Sequence, residues 1–228
     1  MDNFKALAII PARGNSKGLP RKNIRLLGGI PLVAHAILTA QEAGCFDRII
    51  VSTEDPEIAE VAVAYGAEIP FLRPQELAGD KESTTSAVNH LLLKLGEDNY
   101  YPDFYATLYP THPFRNPRLV AELVSKGKEG MSPVFTARET VAGYSDYVSR
   151  DFNGQLTPIV PQNQIKTPSG RWYRSYGYFF GQKPKVHNSP YFHILQHPIE
   201  WVDIDTQHDM ELAERIICRG LNNFEKAA

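Results

Sequence analysis

The sequence predicts an α/β protein whose sheet is mostly parallel and covered by helices on both faces. Short apolar runs alternate with segments of helical period along most of the 228 residues. The runs are almost wholly apolar, whereas a strand with one solvent-facing side would alternate apolar and polar residues. Consecutive parallel strands need a crossover connection, which the helical segments supply. A ligand in such a fold binds beyond the carboxyl ends of the strands.

The first predicted strand is KALAII, which is apolar enough to be buried on both faces. The predicted strands cover residues 5–10, 48–53, 104–109, 132–137, 176–181 and 199–204. The helical segments have recognisable ends, because Asp55 is a candidate N-cap, Gly44 and Gly66 are stop signals, and Pro117 suits a first helical turn. The predicted helices cover residues 31–44, 55–66, 83–96, 116–127 and 206–221.

The alternation is interrupted between residues 138 and 175, where the chain has little helical period and many turn formers. This segment carries five cations and several aromatic residues. Within it, Asn153-Gly154 is typical of a hairpin with a type I′ turn. A long irregular excursion from a compact domain is usually functional or an interaction arm. We therefore expect residues 138–175 to form an inserted arm.

The composition argues against several classes of function. The net charge of −2 at pH 7 provides no overall field that would attract nucleic acid. Two cysteines without metal-ligand spacing indicate neither a disulfide framework nor a zinc site. No apolar run approaches the ~18 residues of a membrane-spanning helix, and the N-terminal segment does not resemble a signal peptide. We therefore expect a cytoplasmic protein with no nucleic-acid or membrane partner.

A cluster of cations follows the first predicted strand, in IPARGNSKGLPRKN. The cations are Arg13, Lys17, Arg21 and Lys22. Gly14 and Gly18 permit close backbone approach and positive φ, so successive N–H groups could form an anion nest. Arg13 can bind two phosphate oxygens at once, and the lysines act as point charges, which suits a triphosphate carrying roughly four negative charges. The alternative is a solvated basic turn. The sequence has neither a P-loop nor a G-x-G-x-x-G fingerprint.

Two carboxylates two positions apart, Asp203 and Asp205, follow an apolar run near the C-terminus. If the run is a strand, both side chains point to one face, with their Cα atoms roughly 6–7 Å apart. Such a pair can converge on one Mg²⁺, which prefers one or two carboxylates plus substrate phosphate oxygens. The alternative is that Asp205 caps the helix that follows and Asp203 is a surface residue.

Five segments, in order along the chain, closely resemble the CMP-sialic acid synthetases, also called acylneuraminate cytidylyltransferases. The segments are IIPARGNSKGLPRKNI, VSTED, FLRPQELAGDKESTTS, LYPTHPFRNP and VDIDTQHDMELAE. The resemblance extends over most of the chain, and it implies a Rossmann-like three-layer α/β/α fold with a single nucleotidyltransferase domain spanning residues 1–228. It also implies an obligate Mg²⁺ and a homodimer, with residues 138–175 as the dimerisation arm.

The resemblance assigns roles to residues by their motif positions. The phosphate-binding cations of the family correspond to Arg13, Lys17 and Lys22, with Gly14 in the same loop and Asn23 near the nucleotide. An arginine near the cytosine base corresponds to Arg73. The hydroxyl groups that contact the nucleotide correspond to Ser83, Thr84 and Thr85. The metal-binding pair corresponds to Asp203 and Asp205.

On the sugar side, this sequence departs from the family pattern. Tyr109 stands where the family has a glutamine, His112 where it has a serine, and Phe180 where it usually has a tyrosine. His112 either hydrogen-bonds the carboxylate of a sugar acid or has a structural role. The identity of the sugar acid therefore stays open among sialic, legionaminic, pseudaminic and Kdo acids.

The resemblance implies that the chain uses CTP to activate a 2-keto sugar acid, which gives a CMP-sugar and pyrophosphate. Lys17, Asp203 and Asp205 are the expected catalytic residues. One alternative is a CMP-Kdo synthetase or another sugar nucleotidyltransferase. The other alternative is a nucleotide-binding regulator that does not turn over its ligand.

Overall fold

The computed structural model describes residues 4–79, 83–140, 148–150, 156–158, 164–166, 171–184 and 189–222. Its strands are β1 (Ala6–Pro11), β2 (Leu26–Leu27), β3 (Ile30–Pro31), β4 (Arg48–Ser52), β5 (Phe104–Thr107), β6 (Val134–Thr140), β7 (Val148–Arg150), β8 (Leu156–Pro158), β9 (Gln164–Lys166), β10 (Trp172–Gln182) and β11 (Tyr191–Ile194). Its α-helices are α1 (Leu32–Ala43), α2 (Pro56–Ala64), α3 (Thr84–Glu97), α4 (Pro117–Lys128) and α5 (Gln207–Cys218). Short 3₁₀ helices cover Lys22–Ile24, Gln75–Ala78 and Pro198–Trp201.

The main sheet has seven strands in the order β11-β6-β10-β5-β1-β4, with β9 paired to β10 off this path. Strand β1 lies parallel to β4 and β5, and β6 lies parallel to β11. Strand β10 runs antiparallel to β5, β6 and β9, so it alone opposes the other six strands. The mostly parallel sheet predicted from the sequence is therefore confirmed. Two small antiparallel pairs, β2-β3 and β7-β8, lie outside it.

Both faces of the main sheet are buried, as strand β1 shows. Ala8 and Ile10 belong to a core formed with α1, α2 and α4. Leu7 and Ile9, whose side chains point the other way, belong to a core formed with α3. None of these four side chains is accessible to solvent. Because neighbouring residues of a strand face opposite sides, the chain has the predicted three layers, α/β/α.

The helices begin and end close to the predicted positions. Asp55 accepts hydrogen bonds from two N–H groups in the first turn of α2, and Ser83 and Asn116 cap α3 and α4 in the same way. Gly44 ends α1 in the left-handed conformation, with φ of 63°. Among the described residues, no helix combines the length and apolarity needed to cross a bilayer.

The prediction of a strand over residues 199–204 is wrong. Pro198 starts a 3₁₀ helix there, and His197 and Glu200 close its first turn with a reciprocal capping box. Of the apolar side chains that suggested a strand, Ile204 is fully buried, Ile199 and Val202 pack partly buried against the same core, and Trp201 is exposed. Strand β11, at one edge of the sheet, was not predicted, and β10 is longer than the predicted 176–181.

The excursion of residues 138–175 is continuous with the main sheet at both ends. Strand β6 extends to Thr140 and β10 begins at Trp172, and these two residues are paired. Strands β7 and β8 form an antiparallel hairpin, as predicted, while its turn at Asn153-Gly154 lies outside the described residues. Strand β9 returns to pair with β10. The base of the predicted arm is therefore an antiparallel ribbon that extends from the sheet.

Candidate functional site

Three loops meet at the carboxyl ends of neighbouring strands β4, β1 and β5. They are residues 12–21 after β1, residues 53–55 after β4 and residues 108–111 after β5. Because β1 lies between β4 and β5 and runs parallel to both, the three ends lie side by side. Open α/β sheets bind their ligands at this edge. A cavity of about 290 Å³ lies there.

The walls of this cavity carry three cations and, in the described part of the chain, no carboxylate. The cations are Arg13, Lys22 and Arg73. The uncharged polar residues of the walls include Ser16, Asn23, Ser83, Thr84, Tyr109 and Thr111. A concave site that collects charge of one sign concentrates ligands of the opposite sign. The cavity is therefore built for an anion.

The N-terminus of α3 adds to this preference for an anion. Ser83 caps the helix and Thr84 is its first residue, and both line the cavity. The N–H groups at the start of a 14-residue helix carry a partial positive charge that stabilises a nearby anion. Thr85, the third hydroxyl group of the predicted set, is exposed and does not line the cavity.

The loop after β1 is fixed by hydrogen bonds to its neighbours. The Asn23 amide donates from Nδ2 to the Arg13 carbonyl oxygen at 2.8 Å. The Gly14 N–H donates to Oε1 of Glu54 at 2.7 Å. The Gly14 amide, which the sequence placed in an anion nest, is thus engaged by a carboxylate of the protein itself. Asn23 both lines the cavity and holds its arginine-bearing loop.

Gly14 and Gly18 are required for space and not for an unusual backbone conformation. The described residues with positive φ include neither glycine, so that part of the prediction is wrong. A Cβ atom on Gly14 would lie 2.4 Å from Oδ2 of Asp55, and one on Gly18 would lie 2.4 Å from the carbonyl oxygen of Asp205. The close backbone approach that these glycines allow is therefore to groups of the protein. Arg21, with φ of 56°, is paired with Asp55 and is part of the scaffold.

Lys22 joins this loop to the acidic segment near the C-terminus. Its Nζ donates to the carbonyl oxygen of Ile204 and to Oδ1 of Asp205, each at 2.8 Å. The Ile204 N–H donates at 2.8 Å to the carbonyl oxygen of Thr111, in the loop after β5. The backbone of Ile204 is therefore held from both sides, and the two regions that the sequence singled out are in direct contact.

Asp203 and Asp205 flank Ile204, whose side chain is fully buried. Their side chains are 36% and 70% exposed, so the alternation expected of a strand persists although residues 202–205 pair with no described strand. Burial raises the pKa of Asp203, and the nearby Asp205 carboxylate adds to the rise. A hydrogen bond from Thr111 and the charge of Lys22 oppose it. A cation bound between the two acids would relieve their repulsion.

His112 is buried beside Asp203 and does not line the cavity. Its Nδ1 lies 3.0 Å from the Thr111 hydroxyl and 3.5 Å from the Asp203 carboxylate. Its Nε2 has no hydrogen-bond partner among the described residues. Burial, followed by the charges of Arg115 and Lys22, lowers the pKa of His112 to about 2, so the imidazole is neutral at physiological pH. This placement favours the structural role over a charged contact with a sugar carboxylate.

Arg115 is a buried residue of this region that the sequence did not single out. Its guanidinium donates to the carbonyl oxygens of Tyr178, His112 and Tyr109 at 2.7, 2.6 and 2.6 Å. Burial lowers the pKa of Arg115 to about 10, which leaves it charged at neutral pH. It therefore fixes the loop that carries Tyr109 and Thr111 into the cavity wall. Only the tertiary fold reveals this role, because Tyr178 is 63 residues away.

Seven of the predicted site residues line the cavity. They are Arg13, Lys22, Asn23, Arg73, Ser83, Thr84 and Tyr109. Four lie next to it through the contacts described above, namely Gly14, His112, Asp203 and Asp205. Lys17 is exposed and outside the lining, like Thr85, so its catalytic role stays a prediction. In the described ranges, no three His, Cys, Asp or Glu side chains cluster as a metal site.

Comparisons with known proteins agree with this geometry. A family model described as cytidylyltransferase matches residues 7–227. The CMP-N,N'-diacetyllegionaminic acid synthase of Legionella pneumophila is 33% identical, over 94% of this chain and 97% of its own. A pseudaminic acid cytidylyltransferase of Campylobacter jejuni is 34% identical, over 92% and 95%. The solved structure of a CMP:2-keto-3-deoxy-manno-octonic acid synthetase complexed with CTP shares the fold, with a TM-score of 0.69 at 18% identity, over 95% of this chain and 99% of that one.

The contact between Lys22 and Asp205 is expected to stabilise the folded chain. In a double-mutant cycle of Lys22→Met and Asp205→Asn, measured by urea unfolding, we expect a coupling free energy of about 1 kcal/mol, because one partner is buried. The exposed pair Lys94 and Glu97 is the control, with a coupling below about 0.5 kcal/mol. Equal coupling in the two cycles would show that the Lys22–Asp205 pair contributes no more to stability than an exposed ion pair.

Proposed function

This chain belongs to the cytidylyltransferase family, and we propose that it transfers CMP from CTP to a nonulosonic sugar acid, releasing pyrophosphate. The observation that carries this proposal is the cavity at the carboxyl ends of β4, β1 and β5. Its walls hold three cations, and two carboxylates lie immediately beside it. A nucleoside triphosphate with its metal ion requires both kinds of charge within reach of each other.

The cations of the cavity suit the triphosphate. Arg13 presents a planar fork of donors that can bind two phosphate oxygens, whereas Lys22 supplies a compact charge. Arg73, from another segment of the chain, extends the positive wall. The start of α3 contributes N–H groups and the Ser83 and Thr84 hydroxyls. Together these groups can hold the phosphates and stabilise the charge that develops on departing pyrophosphate.

The residues present fit a divalent metal ion. Asp203 and Asp205 would hold Mg²⁺, which accepts one or two protein carboxylates when phosphate oxygens provide other ligands. Burial is the main cause of the raised pKa of Asp203, and the nearby Asp205 carboxylate adds to it, so a bound cation would stabilise the charged form of both acids. When bound, the ion would neutralise phosphate charge and polarise the reacting groups. Lys22 contacts Asp205 and also lines the cavity, so it would lie between the acids and the bound phosphates.

The proposed reaction needs no covalent bond to the protein. The anomeric hydroxyl oxygen of the sugar acid forms a bond to the α-phosphorus of CTP, and the bond from that phosphorus to the oxygen bridging to the β-phosphate breaks. Pyrophosphate leaves, and the hydroxyl proton passes to solvent. The contribution of the chain is to align the two substrates and to stabilise charge. Arg115 serves this alignment indirectly, because it fixes the loop that presents Tyr109 and Thr111. Lys17 stays a candidate for contact with the phosphates.

The named relatives guide the choice of sugar acid. Proteins named for legionaminic and pseudaminic acids match more than nine-tenths of this chain at 33% and 34% identity. The resemblance to the octonic acid synthetase is at 18% identity and supports the fold. We therefore place a nonulosonic acid ahead of Kdo as the substrate. A regulator without turnover is the remaining alternative, and it would bind CTP without releasing pyrophosphate.

A screen of pyrophosphate release tests this function. With Mg²⁺ present, we expect release with CTP but not ATP, GTP or UTP, and with legionaminic, pseudaminic or sialic acid in preference to Kdo. Asp205→Asn should lower turnover at least tenfold, about 1.4 kcal/mol, whereas Asp98→Asn, an exposed acid at the end of α3, should not. Release with Kdo alone would support the first alternative, and CTP binding with no release would support the regulator.

A second copy of the chain is a further part of the proposal. Phe180, Phe135 and Phe192 are directly paired across β10, β6 and β11, so their side chains lie in a row on one face of the sheet. Phe135 and Phe192 stack with ring centroids 6.1 Å apart, and Phe180 is 37% exposed. Partly exposed aromatic rows of this kind are typical of protein interfaces. We assign this row and the arm of residues 138–175 to a homodimer interface. The cytoplasmic location also stays a prediction.

Light scattering tests the dimer. We expect twice the mass of one chain, and a dissociation constant at least tenfold higher for Phe180→Ser, because the substitution removes the apolar side chain at the exposed end of the row. The matched control is Leu93→Ser, since Leu93 is 72% exposed on α3 and lies away from the row. A wild-type chain with the mass of a monomer would contradict the assignment.

A further inference from the structure

Glu54 contacts two cavity-forming segments although it does not line the cavity itself. It is the second residue after β4 and is 6% exposed. One carboxylate oxygen, Oε1, accepts the Gly14 N–H at 2.7 Å, and the other, Oε2, pairs with Arg73 Nη2 at 2.5 Å. Gly14 follows Arg13 in the loop after β1, and Arg73 lies in a separate wall. One buried side chain therefore connects two walls.

Arg73 depends on this contact for its orientation. Its side chain is 5% exposed, and Glu54 is the acid paired with it among the described residues. Its Nε is buried without a partner in the same part of the chain. Its backbone N–H donates to the carbonyl oxygen of Thr53 at 2.8 Å, so both the main chain and the side chain of Arg73 are held by the residues that follow β4.

The burial of this ion pair is not explained by stability. Removing two charges from water costs free energy that their attraction commonly does not exceed, and an apolar pair of similar volume would stabilise the fold as well. Glu54 also cancels one of the three positive charges around an anion-binding cavity, which by charge alone weakens anion binding. If Glu54 holds Arg73 and the Gly14 amide in place, that role explains both the buried ion pair and the loss of one positive charge around the cavity.

We propose that Glu54 is a positioning residue that sets the Arg13–Gly14 loop and Arg73 at a fixed separation for the bound nucleotide. The proposal rests on the proposed function for the identity of that nucleotide, CTP. The two ways in which Glu54 could act predict opposite changes in CTP affinity when Glu54 is lost. If Glu54 acts by position, its loss weakens CTP binding, because the two walls are no longer aligned. If it acts only through its charge, its loss strengthens CTP binding.

The test compares Glu54→Gln with wild type in CTP binding by calorimetry and in steady-state kinetics. We expect the Kd and the KM for CTP to rise at least tenfold, with kcat changed less than threefold. In an Arg73→Lys background, Glu54→Gln should lower CTP affinity less than threefold, since the aligned guanidinium is already absent and the Gln side-chain oxygen can still accept the Gly14 N–H. Glu57→Gln is the matched control, because Glu57 is an exposed acid paired with Arg21, which does not line the cavity; it should match wild type.

Unchanged or tighter CTP binding by Glu54→Gln overturns the proposal, as does a loss that is the same in the Arg73→Lys background. If Glu54→Gln does not fold, Glu54→Asp keeps the buried charge but is one methylene shorter and cannot hold both partners. It should raise the Kd in the same direction, and wild-type affinity in that variant overturns the proposal. A wild-type chain that binds no CTP contradicts the proposed function instead, so the two failures are distinguishable.

Discussion

The ammonium group of Lys22 lies between the two halves of the candidate site. It follows the first strand in sequence, yet it binds the carbonyl oxygen of Ile204 and the carboxylate of Asp205, more than 180 residues later. The side chain of Lys22 is only 10% exposed, and a buried ammonium group is stable only when its donors are satisfied. The fold therefore cannot release the acidic segment from the cationic loop without leaving this charge unpaired.

The remaining geometry follows from this constraint. Lys22 lines the cavity together with Arg13 and Arg73 and also contacts Asp205, so a positive side and an acidic side adjoin at one edge of the sheet. Phosphates favour the first side and a metal ion favours the second. Ile204, held by Lys22 and by Thr111, carries Asp203 and Asp205 on either side of a fully buried side chain. The carboxylates are thus positioned by hydrogen bonds between loops, with no need of a strand.

Most of the fold could be predicted from the sequence because both faces of the sheet are buried. That burial makes the strands continuous apolar runs, and residues such as Asp55 and Ser83 mark the starts of helices by local hydrogen bonds. The apolar run of residues 199–204 was wrongly predicted to be a strand, because tertiary packing and capping determine its structure. Its first residues form a 3₁₀ helix whose capping box involves Glu200, and an apolar run alone does not distinguish such a helix from a strand. The glycines of the first loop were recognised, but their neighbours, Asp55 and the Asp205 carbonyl group, are distant in sequence.

The sequence could predict the residues of the candidate site that line the cavity. It could not predict the roles of residues that only hold other residues in place. The motif positions of Arg13, Lys22 and Arg73 indicated contact with a ligand, and all three lie in the cavity wall. Glu54 and Arg115 lie in the segments VSTED and LYPTHPFRNP, but their roles depend on partners from other elements, which the sequence does not show. His112 was left open between two roles; its burial favours the structural one, and contact with the sugar acid stays a prediction.

The most direct test of the account is a crystal structure with CTP and Mn²⁺, in which anomalous scattering locates the metal ion. The account predicts phosphates against Arg13 and Lys22, and a manganese peak at the carboxylates of Asp203 and Asp205. Phosphates bound away from the loop after β1, or a metal ion held by other acids, would contradict it.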